Sequence, residues 1–174
     1  MEPRERVILV NERDVVVGEA EKLEAHRTGA LHRAFSVFVQ DGAGRVLLQR
    51  RTASKYHSGG LWSNTCCGHP RPGEDTPAAA ARRLREEMGF VCPLEPAGTF
   101  VYRARLGDLV EHEYDHVFAG VFDGSPQPDP AEVAEWRWVS VDELERNLAA
   151  HPGRYTVWLA PALEQLRSSR SRGG

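Results

Sequence analysis

The feature that most constrains this chain is one continuous stretch, Gly68 to Phe90, with the sequence GHPRPGEDTPAAAARRLREEMGF. Its second half can only be a helix. Thr76 is a good N-cap, Pro77 suits the first helical position, AAAARRLREEM has high helical propensity, and Gly89 suits the left-handed C-terminal cap. Side chains four apart share a helix face, so Arg82 stacks over Glu86 and Arg83 over Glu87. The segment leading into it, SKYHSGGLWSNTCCGHPRPGED, is long and rich in Gly and Pro. Loops of that length inside a compact domain are usually functional. Taken alone, RRLREE would be a solvated surface helix with ordinary ion pairs.

The rest of the chain supplies strands and two further helices. VILV and VVVGEA, joined by NERD, read as a hairpin. LHRAFSVFVQ, the turn DGAG and RVLLQRR read as a second, with Asp41-Gly42 and Gly44 supplying the turn. TFVYRARL, LVEHEYDHVFAGVF and AEWRWVSV are strand candidates. Ser140-Val141-Asp142-Glu143 is a capping box that starts a helix through Leu148. A last helix is expected from Thr156 or Val157 to Leu166. Strands and helices do not alternate as βαβ units, which favours an α+β fold, an α/β sandwich with a mixed β-sheet flanked by helices. One domain is expected over residues 1–166, followed by a disordered basic tail, RSSRSRGG, over residues 167–174.

Composition narrows the function. The 174 residues carry 22 basic and 25 acidic side chains, net -3, without the basic footprint of a nucleic-acid binder. No apolar run approaches the roughly 18 residues of a membrane span. The N-terminal apolar stretch, Val7 to Val10, is too short for a signal peptide, so a cytoplasmic location is expected. The three cysteines, Cys66, Cys67 and Cys92, form no disulfide framework and are expected to be reduced. Cys66-Cys67-x-His69 also lacks the spacing of a zinc site. Only two lysines are present, Lys22 and Lys55.

The loop and helix together resemble the Nudix box: Gly68, five residues, Glu74, seven residues, then Arg82, Leu84, Glu86, Glu87, Gly89 and Phe90 in register. The box of the hydrolases carries Glu where this chain has Arg83. Such an exchange removes a hard-cation ligand and adds a phosphate fork. A wider set of motifs then resembles the type I isopentenyl-diphosphate isomerases. It comprises Arg50, Arg51 and Lys55 in RR-x3-K, the SNTCCGHP loop, the altered box, FVYRA (Phe100 to Ala104), VEHE (Val110 to Glu113) and Trp158. It spans about residue 7 to residue 165.

This resemblance implies a reversible 1,3-allylic shift. Isopentenyl diphosphate is protonated at its terminal alkene carbon and loses a proton from C2, giving dimethylallyl diphosphate. Cys67 and Glu113 are implied as the proton-transfer groups, Trp158 as an aromatic face for the developing cation, and Tyr102 as a contact to the reacting region. His26, His32, His69, Glu111 and Glu113 are implied as one metal site. That mixed N/O set suits Mn²⁺ or Mg²⁺, with catalytic Zn²⁺ a further option. Glu87 is implied to hold a Mg²⁺ bridging to the diphosphate, and Lys22, Arg51, Lys55 and Arg83 to contact its oxygens.

The residues themselves add two conditions. On a strand, Glu111 and Glu113 share one face and His112 takes the other. Residues six apart on one helix are turned about 240° from each other, so an ion shared by His26 and His32 needs a loop and a strand start instead. The expected partner is the small-molecule substrate alone, with no nucleic acid and no membrane, and the chain a monomer or weak homodimer. A Nudix hydrolase of a nucleoside diphosphate compound and a non-catalytic diphosphate-binding module are the alternatives. Cys66, Cys92, His57, His112, His116 and His151 receive no role.

Overall fold

The computed structural model describes residues 5–55 and 57–172. In chain order the elements are β1 (Arg6–Val10), β2 (Val16–Glu21), α1 (Lys22–Thr28), β3 (His32–Gln40), β4 (Val46–Arg51), β5 (Trp62–Ser63), β6 (Cys66–Gly68) and α2 (Thr76–Met88). They continue as β7 (Glu95–Leu106), β8 (Leu109–Val121), β9 (Val133–Val139), α3 (Val141–Ala150), a 3-10 turn (Pro152–Arg154) and α4 (Leu159–Arg172). The mixed sheet flanked by helices is the architecture expected from the sequence.

Strand β3 is the spine. Along one edge it pairs in parallel with β8, from His32 opposite Glu113 to Gln40 opposite Val121. Its other edge is shared by three partners in turn: β1 at His32, β6 at Phe35 to Val37, and β4 at Gln40 alone. The β3–β4 hairpin expected from DGAG therefore exists as a turn but not as a ladder. Beyond Gln40 and Val46 the two strands part, and β4 pairs instead with β5 and β9.

The SNT residues of the SNTCC loop form the wedge between them. The Thr65 hydroxyl donates to the Leu47 carbonyl at 2.7 Å and accepts from the Val39 N–H at 2.9 Å. The Asn64 amide donates to the carbonyls of Val37, at 3.1 Å, and Cys66, at 2.7 Å. Both residues are wholly buried. Side chains thus supply the hydrogen bonds that the missing ladder would have made, as buried backbone groups require.

Each face of the sheet has its own core. Phe35, Val37, Val39, Leu47 and Cys66 pack against Ala79, Ala80, Leu84 and Met88 of α2. Phe38, Val46, Leu48 and Val117 pack against Leu144 of α3 and Leu159, Ala162, Leu163 and Leu166 of α4. Full burial of Leu84 contributes about 1.5–3 kcal/mol and, with Ala79, Ala80 and Met88, seats α2 against the sheet.

Helix ends differ from the expectations in detail. The α2 N-cap is Asp75, whose carboxylate accepts from the Ala78 N–H at 3.2 Å, so Thr76 lies inside the helix. A carboxylate at this end also meets the positive pole of the helix. Ser140 caps α3 through the Glu143 N–H, and the helix runs to Ala150, a turn's fraction past Leu148. Helix α4 starts at Leu159, because Thr156 is taken up in docking: its N–H donates to the Trp62 carbonyl at 2.9 Å and its hydroxyl meets Ser63 Oγ at 2.9 Å. The same helix continues through Arg172, so residues 167–172 are helical where a disordered tail was expected. Leu166 anchors that last stretch, and Arg167 pairs with Glu145 at 3.0 Å. Residues 173–174 of the tail lie outside the described residues. No helix among the described residues is long and apolar enough to cross a membrane.

Candidate active site

The strand register assembles the site. His32 begins β3 and lies opposite Glu113 of β8, whose partner across β7 is Tyr102. Alternation along β8 buries Glu111, Glu113 and Asp115 on one face and turns His112 and His116 to the other. His26 comes from α1, which ends at Gly29 in the left-handed conformation (φ 73°), and the chain then turns directly into β3. His26 and His32 thus meet as helix and strand start, with ring centroids 5.0 Å apart, rather than through a loop. His69 follows Gly68, where a Cβ would lie 3.0 Å from the Phe35 ring and press on it.

Donor atoms of His26, His32, His69 and Glu113 lie within 4.8 Å of one another. His69 Nε2 is 2.6 Å and His32 Nε2 3.2 Å from Glu113 Oε2. His32 Nδ1 sits 2.9 Å from the Ala30 carbonyl, so the Nδ1–H donates there and Nε2 is turned to the site. The buried His32 Nε2 has no hydrogen bond of ordinary geometry. Burial, together with the charges of His69 and His32, pulls His26 down to about 3 and keeps it neutral, the form that ligates. This group could hold a metal ion. Glu111 stands slightly apart: its Oε1 is 3.8 Å from His26 Nε2, and its donors group with His26 and His57.

The Tyr102 hydroxyl lies 2.6 Å from Glu111 Oε2 and close to Glu113 Oε1, so its one proton is shared between the two carboxylates. Burial, with Glu113 and Glu111 adding to it, raises its phenol well above the ordinary range, so it remains a donor. Tyr102 therefore touches the carboxylates, which line a cavity of about 620 Å³. Burial also raises the Glu113 carboxyl, but the His32 and His69 rings beside it outweigh burial and hold the group well below the carboxylate range.

Cys67 lines that cavity, and its β6 register partner is Ser36 of β3. Burial pushes its thiol up to about 12, so it is protonated at neutral pH, with an Arg51 N–H 3.8 Å from the sulfur. Cys66 takes the opposite face of the same strand and is core. Trp158 closes another wall. Its indole N–H donates to Asn64 Oδ1 at 3.2 Å, and the Arg51 guanidinium lies 5.4 Å from its ring centre.

The cationic end of the cavity carries Lys22, Arg51, Lys55 and Arg83, with Glu87 beside them. Arg83 donates to Glu86 at 2.8 Å, Glu87 at 2.7 Å and Glu132 at 3.0 Å. Lys55 also pairs with Glu132, and Lys22 pairs with Glu5 at 3.1 Å. Burial raises Glu132, but Lys55 and Arg83 outweigh it and bring it to about 2. Burial raises Glu87, which takes an N–H from Gln49 at 3.0 Å.

Asp115 and Glu132 also stand in the cavity wall, beyond the acidic residues expected from the sequence. Asp115 continues the alternation that turned Glu111 and Glu113 inward, so its signal was present. It accepts from Ser36 Oγ at 2.9 Å, and burial holds its carboxyl well above the usual range. Glu132 has no local signal, since only the packing of β9 against β4 brings it to Lys55 and Arg83.

The NUDIX domain family profile matches residues 30–159. The isopentenyl-diphosphate Delta-isomerase of Burkholderia multivorans is 57% identical over 162 residues, covering 92% of each chain. An isopentenyl-diphosphate Delta-isomerase of Aromatoleum aromaticum is 54% identical, over 98% of this chain and 90% of its own. A Deinococcus radiodurans protein of known structure superposes with a TM-score of 0.69 at 23% identity, covering 84% of this chain and 90% of its own, a likeness of fold. The chain belongs to the NUDIX domain family and, within it, to the isopentenyl-diphosphate Delta-isomerases.

Proposed function

We propose that the protein interconverts isopentenyl diphosphate and dimethylallyl diphosphate, with Cys67 and Glu113 as the two proton-transfer groups. One observation carries this reading: a protonated buried thiol and an ionised buried carboxylate face a single cavity whose other end is cationic. A proton is added at the terminal alkene carbon and another leaves C2, so charge and atoms balance. Because the reaction is reversible, each group gives and takes a proton according to direction. Trp158 offers its ring face to the developing cation, a contact worth about 2 kcal/mol when desolvated. Tyr102 is a positioning residue that orients both glutamates.

Lys22, Arg51, Lys55 and Arg83 bind the diphosphate, displacing some of their present carboxylate partners. Glu87 would hold a Mg²⁺ that neutralises charge on that diphosphate. His26, His32, His69 and Glu113, with Glu111 beside them, would hold Mn²⁺ or Mg²⁺, with Zn²⁺ a third candidate. A bound divalent ion there supplies positive charge that fixes Glu113 and tunes its basicity. A cytoplasmic location and action as a monomer or weak homodimer belong to the same reading.

The test is turnover of isopentenyl diphosphate by the metal-reconstituted protein and by Cys67→Ala and Glu113→Gln, with circular dichroism to check folding. Each variant is expected to lose about 10²–10⁴-fold or more in rate while staying folded. Near-normal turnover by either would remove that residue from the chemistry. Phosphate released from nucleoside diphosphate compounds, with no allylic product, would make the protein a hydrolase.

A further inference from the structure

His57 has no role in the sequence resemblance, yet the fold brings it to the carboxylates. It lies in the loop between β4 and β5, which closes tightly on itself: the Arg51 N–H donates to the Leu61 carbonyl at 2.8 Å and the Gly60 N–H to the Arg51 carbonyl at 2.9 Å. Ser58 adopts a left-handed φ of 54°. Gly59 approaches the opposite side of the loop so closely that a Cβ would lie 2.7 Å from the Ala53 carbonyl oxygen. A loop held this way turns the His57 ring inward, leaving its side chain 7% exposed.

The contacts of the ring are specific. Nε2 is 2.8 Å from Glu111 Oε1, and Nδ1 is 3.2 Å from Ser58 Oγ. A Ser58 hydroxyl donating to Nδ1 leaves the ring proton on Nε2, where it donates to the carboxylate. The other Glu111 oxygen takes the Tyr102 hydroxyl. Glu111 is thus gripped at both oxygens, and the grip brings Oε1 to 3.8 Å from His26 Nε2. The ring edge of His57 also meets Trp158, with centroids 6.0 Å apart.

We propose that His57 is a positioning residue for Glu111, holding that carboxylate where it joins the cation site built by His26, His32, His69 and Glu113. The inference rests on the metal-site reading given above. Partners of this kind orient ligands, and their loss typically costs 10–100-fold in metal affinity.

Mn²⁺ titrated calorimetrically into metal-stripped protein provides the test, with melting curves of the metal-free forms as a folding control. His57→Ala is expected to weaken Mn²⁺ binding about 10–100-fold. His57→Gln, whose amide N–H can reach Glu111 Oε1, is expected to recover most of that affinity. In the Glu111→Gln background, removing His57 is expected to cost nothing further, since the group it holds is gone. Mn²⁺ affinity within twofold of the unaltered protein in His57→Ala would overturn the inference. So would losses that add in the double variant, or a Gln variant no better than Ala. If Glu111→Gln alone leaves Mn²⁺ affinity unchanged, Glu111 lies outside the cation site and the inference falls with it, a result distinct from silence at His57.

Discussion

At the scale of single residues, the site sets the ionisation of its groups through burial and contact. Glu132 shows the consequence for stability. Lys55 and Arg83 hold it at about 2, against an ordinary 4.5. A carboxylate with a depressed folded value contributes stability that is present above pH 4.5 and is lost as pH falls toward 2. Urea unfolding of the metal-free protein across this range should therefore show a steeper acid loss of stability than Glu132→Gln does. Parallel curves would mean that the pairing with Lys55 and Arg83 adds nothing to the fold. Residues differed in how far they could be read. Asp115 follows from the same period of two that turns Glu111 and Glu113 inward. Glu132 and His57 could not be read locally, because their partners lie 77 and 54 positions away in the chain at Lys55 and Glu111. Tyr102 reaches both glutamates because strand register sets it opposite Glu113, and register, not motif, decides what a hydroxyl reaches.

At the scale of elements, local chemistry was legible and partnership was not. The Ser140 cap, the Gly89 C-terminus of α2 and the β1–β2 hairpin follow from their own residues. The separation of β3 from β4 does not, because DGAG encodes only the turn. What separates the strands is the buried Thr65, bonded to one on each side. Thr65→Val keeps the shape and removes both bonds, stranding the Val39 N–H and the Leu47 carbonyl. With each unsatisfied group costing about 1–3 kcal/mol, a loss of about 2–4 kcal/mol is expected in urea denaturation. A loss below about 0.5 kcal/mol would show that the strands part for another reason. This separation is functional in consequence, since it gives β6 its place beside β3 and so carries Cys67 to the cavity.

At the scale of the whole molecule, two cores pin the sheet from opposite faces and the chemistry occupies the end where β3 meets β1, β6 and β8. The fold class was legible because one helix carries the box spacing and the strands do not alternate with helices. Most of the proposed site was legible because its motifs are contiguous, while the layout of the cavity depended on which strands share an edge. The measurement that tests the central claim most directly is conversion of isopentenyl diphosphate in D₂O by the metal-reconstituted protein, followed by NMR. The account expects dimethylallyl diphosphate carrying deuterium in its new methyl group, because the added proton comes from an exchangeable group of the protein. Unchanged isopentenyl diphosphate, or a product without deuterium in that methyl, would contradict it.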